Sequence, residues 1–226
     1  MATFQLRVWL PDRPGALGAV ASRIGAVRGD LVGIDILERG AGRVIDELVV
    51  ELPDPDLVPL LLKELGQVDG VDIEDIRRVQ QTLLDPRLDA LETAAVLVEQ
   101  TGIEGLLGVL VAHARLDFEA DWACAIDFDG VVPLASVGDA PQASWLAAFV
   151  EGSRSSVSVS TGESGPDDTA CASLASAGLA LVLGRAGRPF RSRERRQLAA
   201  LARIADHRWV ELATRTRSRT HPSAAV

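Results

Sequence analysis

The sequence predicts an α+β protein of two domains, a βαββαβ sheet-and-helix domain followed by an α/β domain around a central antiparallel sheet. Two patterns carry that prediction: period-2 and period-3.6 stretches succeed one another in that order over the first eighty residues, and an Asp-Gly hairpin signal stands among helical stretches beyond them. A chain of 226 residues, 47% hydrophobic, also has room for two domains at about 100–200 residues each.

Phe4, Leu6, Val8 and Leu10 alternate with Gln5, Arg7 and Trp9, the pattern of a half-buried strand. The stretch Leu10-Pro11-Asp12-Arg13-Pro14-Gly15-Ala16-Leu17 then turns from strand to helix. Pro14 suits the first helical turn, where its missing N–H has no intrahelical partner, and Gly15 lets a ligand approach bare backbone. Open N–H groups and the positive end of a helix dipole make such a turn suited to a small anion such as a carboxylate. Leu17, Val20, Ala21, Ile24 and Val27 draw one apolar stripe along a helix ending near Gly29. Leu31 to Glu38 is a second strand with Val32, Ile34 and Ile36 on one face, and Gly40-Ala41-Gly42 hairpins it into Val44 to Leu52.

Pro53 ends that third strand, and Asp54-Pro55 opens a helix with the stripe Leu57, Leu60, Leu61 and Leu65. Val71 to Val79 is the fourth strand. It is crowded by Asp72, Glu74, Asp75, Arg77 and Arg78, so much of it is expected to be exposed. Two βαβ halves of this kind form an antiparallel sheet with both helices on one face.

With Asp12-Arg13-Pro14-Gly15-Ala16-Leu17-Gly18 after the first strand and Asp30-Leu31-Val32-Gly33-Ile34-Asp35 at the second, residues 3 to 80 resemble an ACT domain. The resemblance implies a ferredoxin-like regulatory module that commonly binds an amino acid through backbone of the first loop, often at a dimer interface beside the second strand. Carried onto this chain, the contacts are Asp12, Arg13, Pro14, Gly15, Ala16 and Leu17, with Gly33, Ile34 and Asp35 across the interface. The physics of the loop agrees: N–H groups at Gly15, Ala16 and Leu17 suit a carboxylate, and Asp12 or Asp35 offers charge to an ammonium. The bland alternative makes Asp12 a helix cap and Arg13 a solvated side chain.

Residues 81–86 read as a linker, with Asp85-Pro86 setting the start of a long helical segment. Its stripe is Leu88, Leu91, Ala95 and Val98, then, after Gly102, Leu106, Leu107, Leu110 and Val111. Trp122 to Phe128 and Val131 to Val137 form a hairpin about Asp129-Gly130, and Gln142 to Val150 a short helix. A Ser- and Gly-rich loop from Gly152 to Asp168 carries an alternating patch at Val157 and Val159. Thr169 to Ser176 and Gly178 to Leu183 make a strand pair, and Ser192 to about Leu212 a closing helix. Trp122, Trp145 and Trp209 read as core rather than ligand platform.

The run Gly178-Leu179-Ala180-Leu181-Val182-Leu183-Gly184-Arg185, then Pro189-Phe190, Glu194 and Leu198 to Ala202, is similar to the closing strand and helix of GAF domains. That resemblance implies a GAF-like sensor or dimerisation body over 87–213. Residues 214–226, rich in Arg, Ser, Thr and Ala, are expected to form a disordered basic tail.

Charge is uneven: residues 1–80 hold 9 basic against 14 acidic side chains, 81–184 hold 3 against 15, and 185–226 hold 11 against 3. The acidic middle and basic end are read as attracting each other within a fold or across a dimer; nucleic acid is not expected, because no nucleic-acid-binding motif accompanies the charge. His113, His207 and His221 have no metal-ligand spacing, and Cys124 and Cys171 stand apart as free thiols. Neither a G-x-S-x-G elbow, a phosphate loop nor a dinucleotide fingerprint is present, and the acidic Thr161-Gly162-Glu163-Ser164-Gly165 repels phosphate. The expectation is therefore a non-enzymatic, cytoplasmic regulatory homodimer that binds a small amino acid, without metal, cofactor or membrane anchor. Its alternative is a homodimerising or partner-docking scaffold with no small-molecule ligand.

Overall fold

Alternation makes Ala2–Pro11 the first strand, β1, and the turn through Gly15 delivers the chain into helix α1, Ala16–Ala26. Strand β2, Asp30–Gly40, and strand β3, Arg43–Leu52, follow as a hairpin. A 3-10 turn at Pro55–Leu57, capped by the Asp54 carboxylate accepting from the Asp56 amide, leads into α2, Val58–Leu65, and then β4, Asp72–Val79. This is a computed structural model, which describes residues 1–79, 86–128, 132–156 and 165–220. The chain divides into two compact units, Met1–Asp85 and Pro86–Val226.

In the first unit the strand order is β2-β3-β1-β4, antiparallel throughout. Phe4, Leu6, Val8 and Leu10 of β1 share one core with Leu48, Val50 and Leu52 of β3, Val20 and Ile24 of α1, and Leu61 and Leu65 of α2, so both helices cover the same face. The opposite face is polar. There Arg7, only 2% exposed, bonds Glu47 at 2.8 Å, Gln5 bridges Glu47 and Arg77, and the Trp9 indole donates to Glu74 at 2.8 Å. This network corrects the expectation for β4: among its charged residues only Asp72 and Arg78 are exposed, because Glu74 and Arg77 find partners on β1. Leu60 departs from its expected stripe and is exposed, while Leu61 and Leu65 of that stripe are buried.

The second unit opens with α3, Pro86–Glu99, and α4, Ile103–Asp117. Strands β5, Trp122–Asp127, and β6, Pro133–Val137, precede α5, Ala143–Ser155. Strands β7, Thr169–Leu174, and β8, Leu179–Gly184, then lead to the closing helix α6, Ser192–Thr220. The sheet order is β6-β5-β8-β7, again antiparallel. One face packs on α3, α4 and α6 through Leu97, Leu106, Leu110, Leu181, Leu183 and Leu198; the other packs on α5 through Cys124, Ile126, Val182, Leu146 and Val150. The protein is thus α+β, with two antiparallel four-stranded sheets and six α-helices among the described residues.

Three expectations change here. The stripe Leu88, Leu91, Ala95 and Val98 faces outward, with Leu91 68% exposed, while Thr93 and Leu97 are buried. Its orientation follows from a polar contact: the Thr93 hydroxyl donates to Asp117 at 2.8 Å and meets His113 Nδ1 at 2.9 Å, fixing α3 against α4 through that face. Trp145 is 46% exposed and stacks on Phe149, its neighbour one helical turn on, rather than entering the core. The chain expected to be disordered from Thr214 continues α6 to Thr220, its Thr214 and Thr216 hydroxyls bonding back to the carbonyls of Val210 and Leu212. The linker up to Asp85, the Asp129-Gly130 turn, Val157 and Val159, and the chain end after Thr220 lie outside the described residues.

Candidate functional site

The first loop is held at both ends by backbone. The Asp12 amide donates to the Gly42 carbonyl of the β2–β3 hairpin at 2.9 Å, and the Ala16 amide to Arg13 at 3.3 Å. Pro14 lies in this turn rather than in the first helical turn, and Gly15, at φ 87°, occupies the left-handed region that glycine enters without a Cβ penalty. Gly15 is the N-cap residue and has no side chain with which to cap α1; Asp12 does not take that role. The first helical bond runs from Ala19 to Gly15, which leaves the Leu17 and Gly18 amides without a backbone partner among the described residues. Asp12, Arg13, Pro14 and Gly15 are exposed, and Ala16 and Leu17 half-buried. Among the described residues Arg13 pairs with Asp69, at 3.8 Å between two exposed side chains, a pairing worth little in water.

Strand β2 divides its three predicted residues between two faces. Gly33 lies opposite Val49 and Asp35 opposite Glu47, on the polar face away from α1. A Cβ at Gly33 would approach Val49 to 3.2 Å, so the glycine here relieves cross-strand crowding. Ile34 lies opposite Leu48, on the face that carries α1, as does Ile36 opposite Asp46. With Val32 at a register shift beside them, these side chains remain 45%, 40% and 46% exposed. The first loop and Ile34 therefore share one side of the sheet, and Gly33 and Asp35 lie on the other.

A residue outside the predicted set belongs to the same side as the loop. Asp46 alternates with Val44, Leu48 and Val50 on the inward face of β3, between Val8 of β1 and Ile36 of β2, and is 4% exposed. Its Oδ1 has no hydrogen-bond partner among the described residues. Burial pushes its carboxyl above the ordinary range, Arg39 pulls it back, and the negative charge of Asp12 pushes it further up. A buried carboxylate with an unanswered lone pair is costly. The signal was in the sequence as the one charged residue at an inward position of an otherwise apolar alternation.

No protein-family model and no curated protein matches the chain. Among solved structures it is similar to the ACT domain from a GTP pyrophosphokinase of Chlorobium tepidum, with 18% identity and a TM-score of 0.28, covering 35% of this chain and 100% of that one. A formyltetrahydrofolate deformylase from Pseudomonas putida KT2440 has 16% identity over 33% of this chain and 28% of its own, with a TM-score of 0.27. An unknown protein from Galdieria sulphuraria has 12% identity over 91% of this chain and 92% of its own, with a TM-score of 0.32.

In the second unit the conspicuous polar groups are structural. Arg185, 4% exposed, donates to the carbonyls of Phe118, Arg188 and Pro189, pairs with Glu194 at 2.7 Å and lies over the Phe190 ring. It ties the β8 exit to the start of α6. Cys124 and Cys171 both stand opposite Val182, on strands either side of β8, and burial raises the two thiols to about 11 and about 12. Thiols so far from ionisation are poor nucleophiles near neutral pH. No described helix is long and apolar enough to cross a membrane.

Proposed function

We propose that this chain is a non-enzymatic, cytoplasmic regulatory protein whose first unit is an ACT-like, ferredoxin-like module that binds a small amino acid at the first loop. The observation that carries this is the uncapped N-terminus of α1: amides at Leu17 and Gly18 without backbone partners, behind a glycine that leaves the approach open. Amides and helix dipole together favour a carboxylate. The exposed Val32, Ile34 and Ile36 beside it form an apolar edge that a second copy would cover, giving a homodimer. The second unit then serves as the GAF-like body that transmits or stabilises that association.

A ligand bound only by the folded, associated protein stabilises it by linkage, roughly 2.7 kcal/mol at a hundredfold excess over Kd. A thermal-shift panel of the proteinogenic amino acids is the direct test, on wild type, Gly15→Asn and Gly15→Asp. Both replacements tolerate a positive φ comparatively well and differ in charge. A stabilising amino acid should keep most of its effect with Asn and lose it with Asp. If none stabilises the wild type at millimolar concentration, the second reading stands, a scaffold that uses the β2 edge only to dimerise.

A further inference from the structure

We infer that Asp46 anchors the ammonium group of the ligand, the counterpart to the carboxylate held at the N-terminus of α1. This rests on the amino-acid reading above and adds to it the residue that distinguishes a zwitterion from a simple carboxylic acid. The loop can hold any small carboxylate, because backbone amides read only the negative end. Something nearby must read the positive end if amino acids are to be selected.

Of the carboxylates considered for that role, Asp35 faces the wrong side of the sheet, opposite Glu47. Asp12 is exposed, and in water it would neutralise an ammonium without discriminating strongly. Asp46 is on the same face as α1, flanked by Ile36, and near enough to Asp12 for their charges to repel. It is 96% removed from solvent with Oδ1 unpaired among the described residues. An ammonium placed there donates to Oδ1 and stabilises a charged form that burial and Asp12 disfavour and Arg39 favours. Ile34 and Ile36 offer apolar surface to the side chain of such a ligand. An acidic group in this setting favours a small zwitterion over acids without an amine and over anions with two or more negative charges.

The experiment titrates wild type, Asp46→Asn and Asp12→Asn with amino acids and with the matching acids lacking the α-amino group: alanine against propionate, leucine against 4-methylpentanoate, phenylalanine against 3-phenylpropanoate. A charge-assisted hydrogen bond to a buried carboxylate gives wild type a preference of about ten- to a hundredfold for the amino acid. In Asp46→Asn that preference should fall to about threefold or less while affinity for the des-amino acid is kept; Asp12→Asn should retain the wild-type preference. If Asp46→Asn does not fold, Asp46→Ser, smaller and uncharged, takes its place. An Asp46 variant that still prefers the amino acid as wild type does overturns the assignment and leaves the amino-acid reading standing. A preference lost only in Asp12→Asn moves the anchor to Asp12. Wild type that binds neither these acids nor any proteinogenic amino acid removes both the assignment and the reading.

Discussion

At Asp46, stability and the proposed function pull in opposite directions. The charged form is disfavoured in the folded state by burial and by Asp12, with Arg39 as the opposing charge, so the folded pKa lies above the unfolded one. A group raised in this way contributes stability that is full below its unfolded pKa and lost as pH rises through its folded pKa. Asp46→Asn removes that loss. The variant should therefore melt above wild type at neutral pH, and the gap should narrow as pH falls into the carboxylate range; melting curves between pH 3 and 8 read it directly. A variant less stable than wild type at pH 7 would mean that the carboxylate has a partner and a structural role. Thr93 is the contrasting case, a buried polar residue with its partners in place on His113 and Asp117. Thr93→Val should cost about 1–3 kcal/mol in chemical denaturation, since it strands both partners at the α3–α4 contact.

Elements were legible where one periodicity ran uninterrupted. β1 alternates cleanly, and Leu106, Leu107, Leu110 and Val111 of α4 are all buried at helical spacing, so those readings need nothing beyond the pattern. The apolar spacing of α3 is as regular as that of α4 and predicts the wrong face, because a hydrogen bond from Thr93 decides which side faces in, and a polar anchor leaves no trace in an apolar stripe. The loop of the candidate site is legible from Pro14 and Gly15, whereas Asp46 is not, because a pattern of alternating apolar residues carries no signal at the one position that breaks it. On β2 the expected common face holds for Ile34 and Ile36, and register shifts at Leu31/Gly33 and Ile36/Glu38 confine that alternation to the middle of the strand. The corrected α3 makes a sharp prediction. Leu97→Ala, at a fully buried position, should cost about 2–5 kcal/mol, whereas Leu91→Glu on the exposed side should stay within about 0.5 kcal/mol of wild type by urea denaturation. Equal costs would return the buried face to the stripe Leu88, Leu91, Ala95 and Val98.

On the scale of the whole chain, each apolar core among the described residues belongs to one unit. One draws only on residues of Met1–Asp85, and the other two only on Pro86–Val226. A ligand in the first loop stabilises the first of these directly, and the second only so far as the two unfold together. Core truncations supply the markers: Leu61→Ala in α2 and Leu110→Ala in α4, both fully buried, should each lower the melting of their own unit by about 2–5 kcal/mol. In scanning calorimetry the amino acid that emerges from the panel should then raise the transition that Leu61→Ala lowers. If it raises only the transition that Leu110→Ala lowers, the ligand belongs to the second unit and the first-loop site is wrong. If one transition answers to both truncations and to the ligand, the two units unfold as one, and the free energy gained at Leu17 and Gly18 is available to the sheet on which α6 closes. That last case is the thermodynamic condition for signalling between units, because a ligand shifts only those equilibria whose end states it binds unequally.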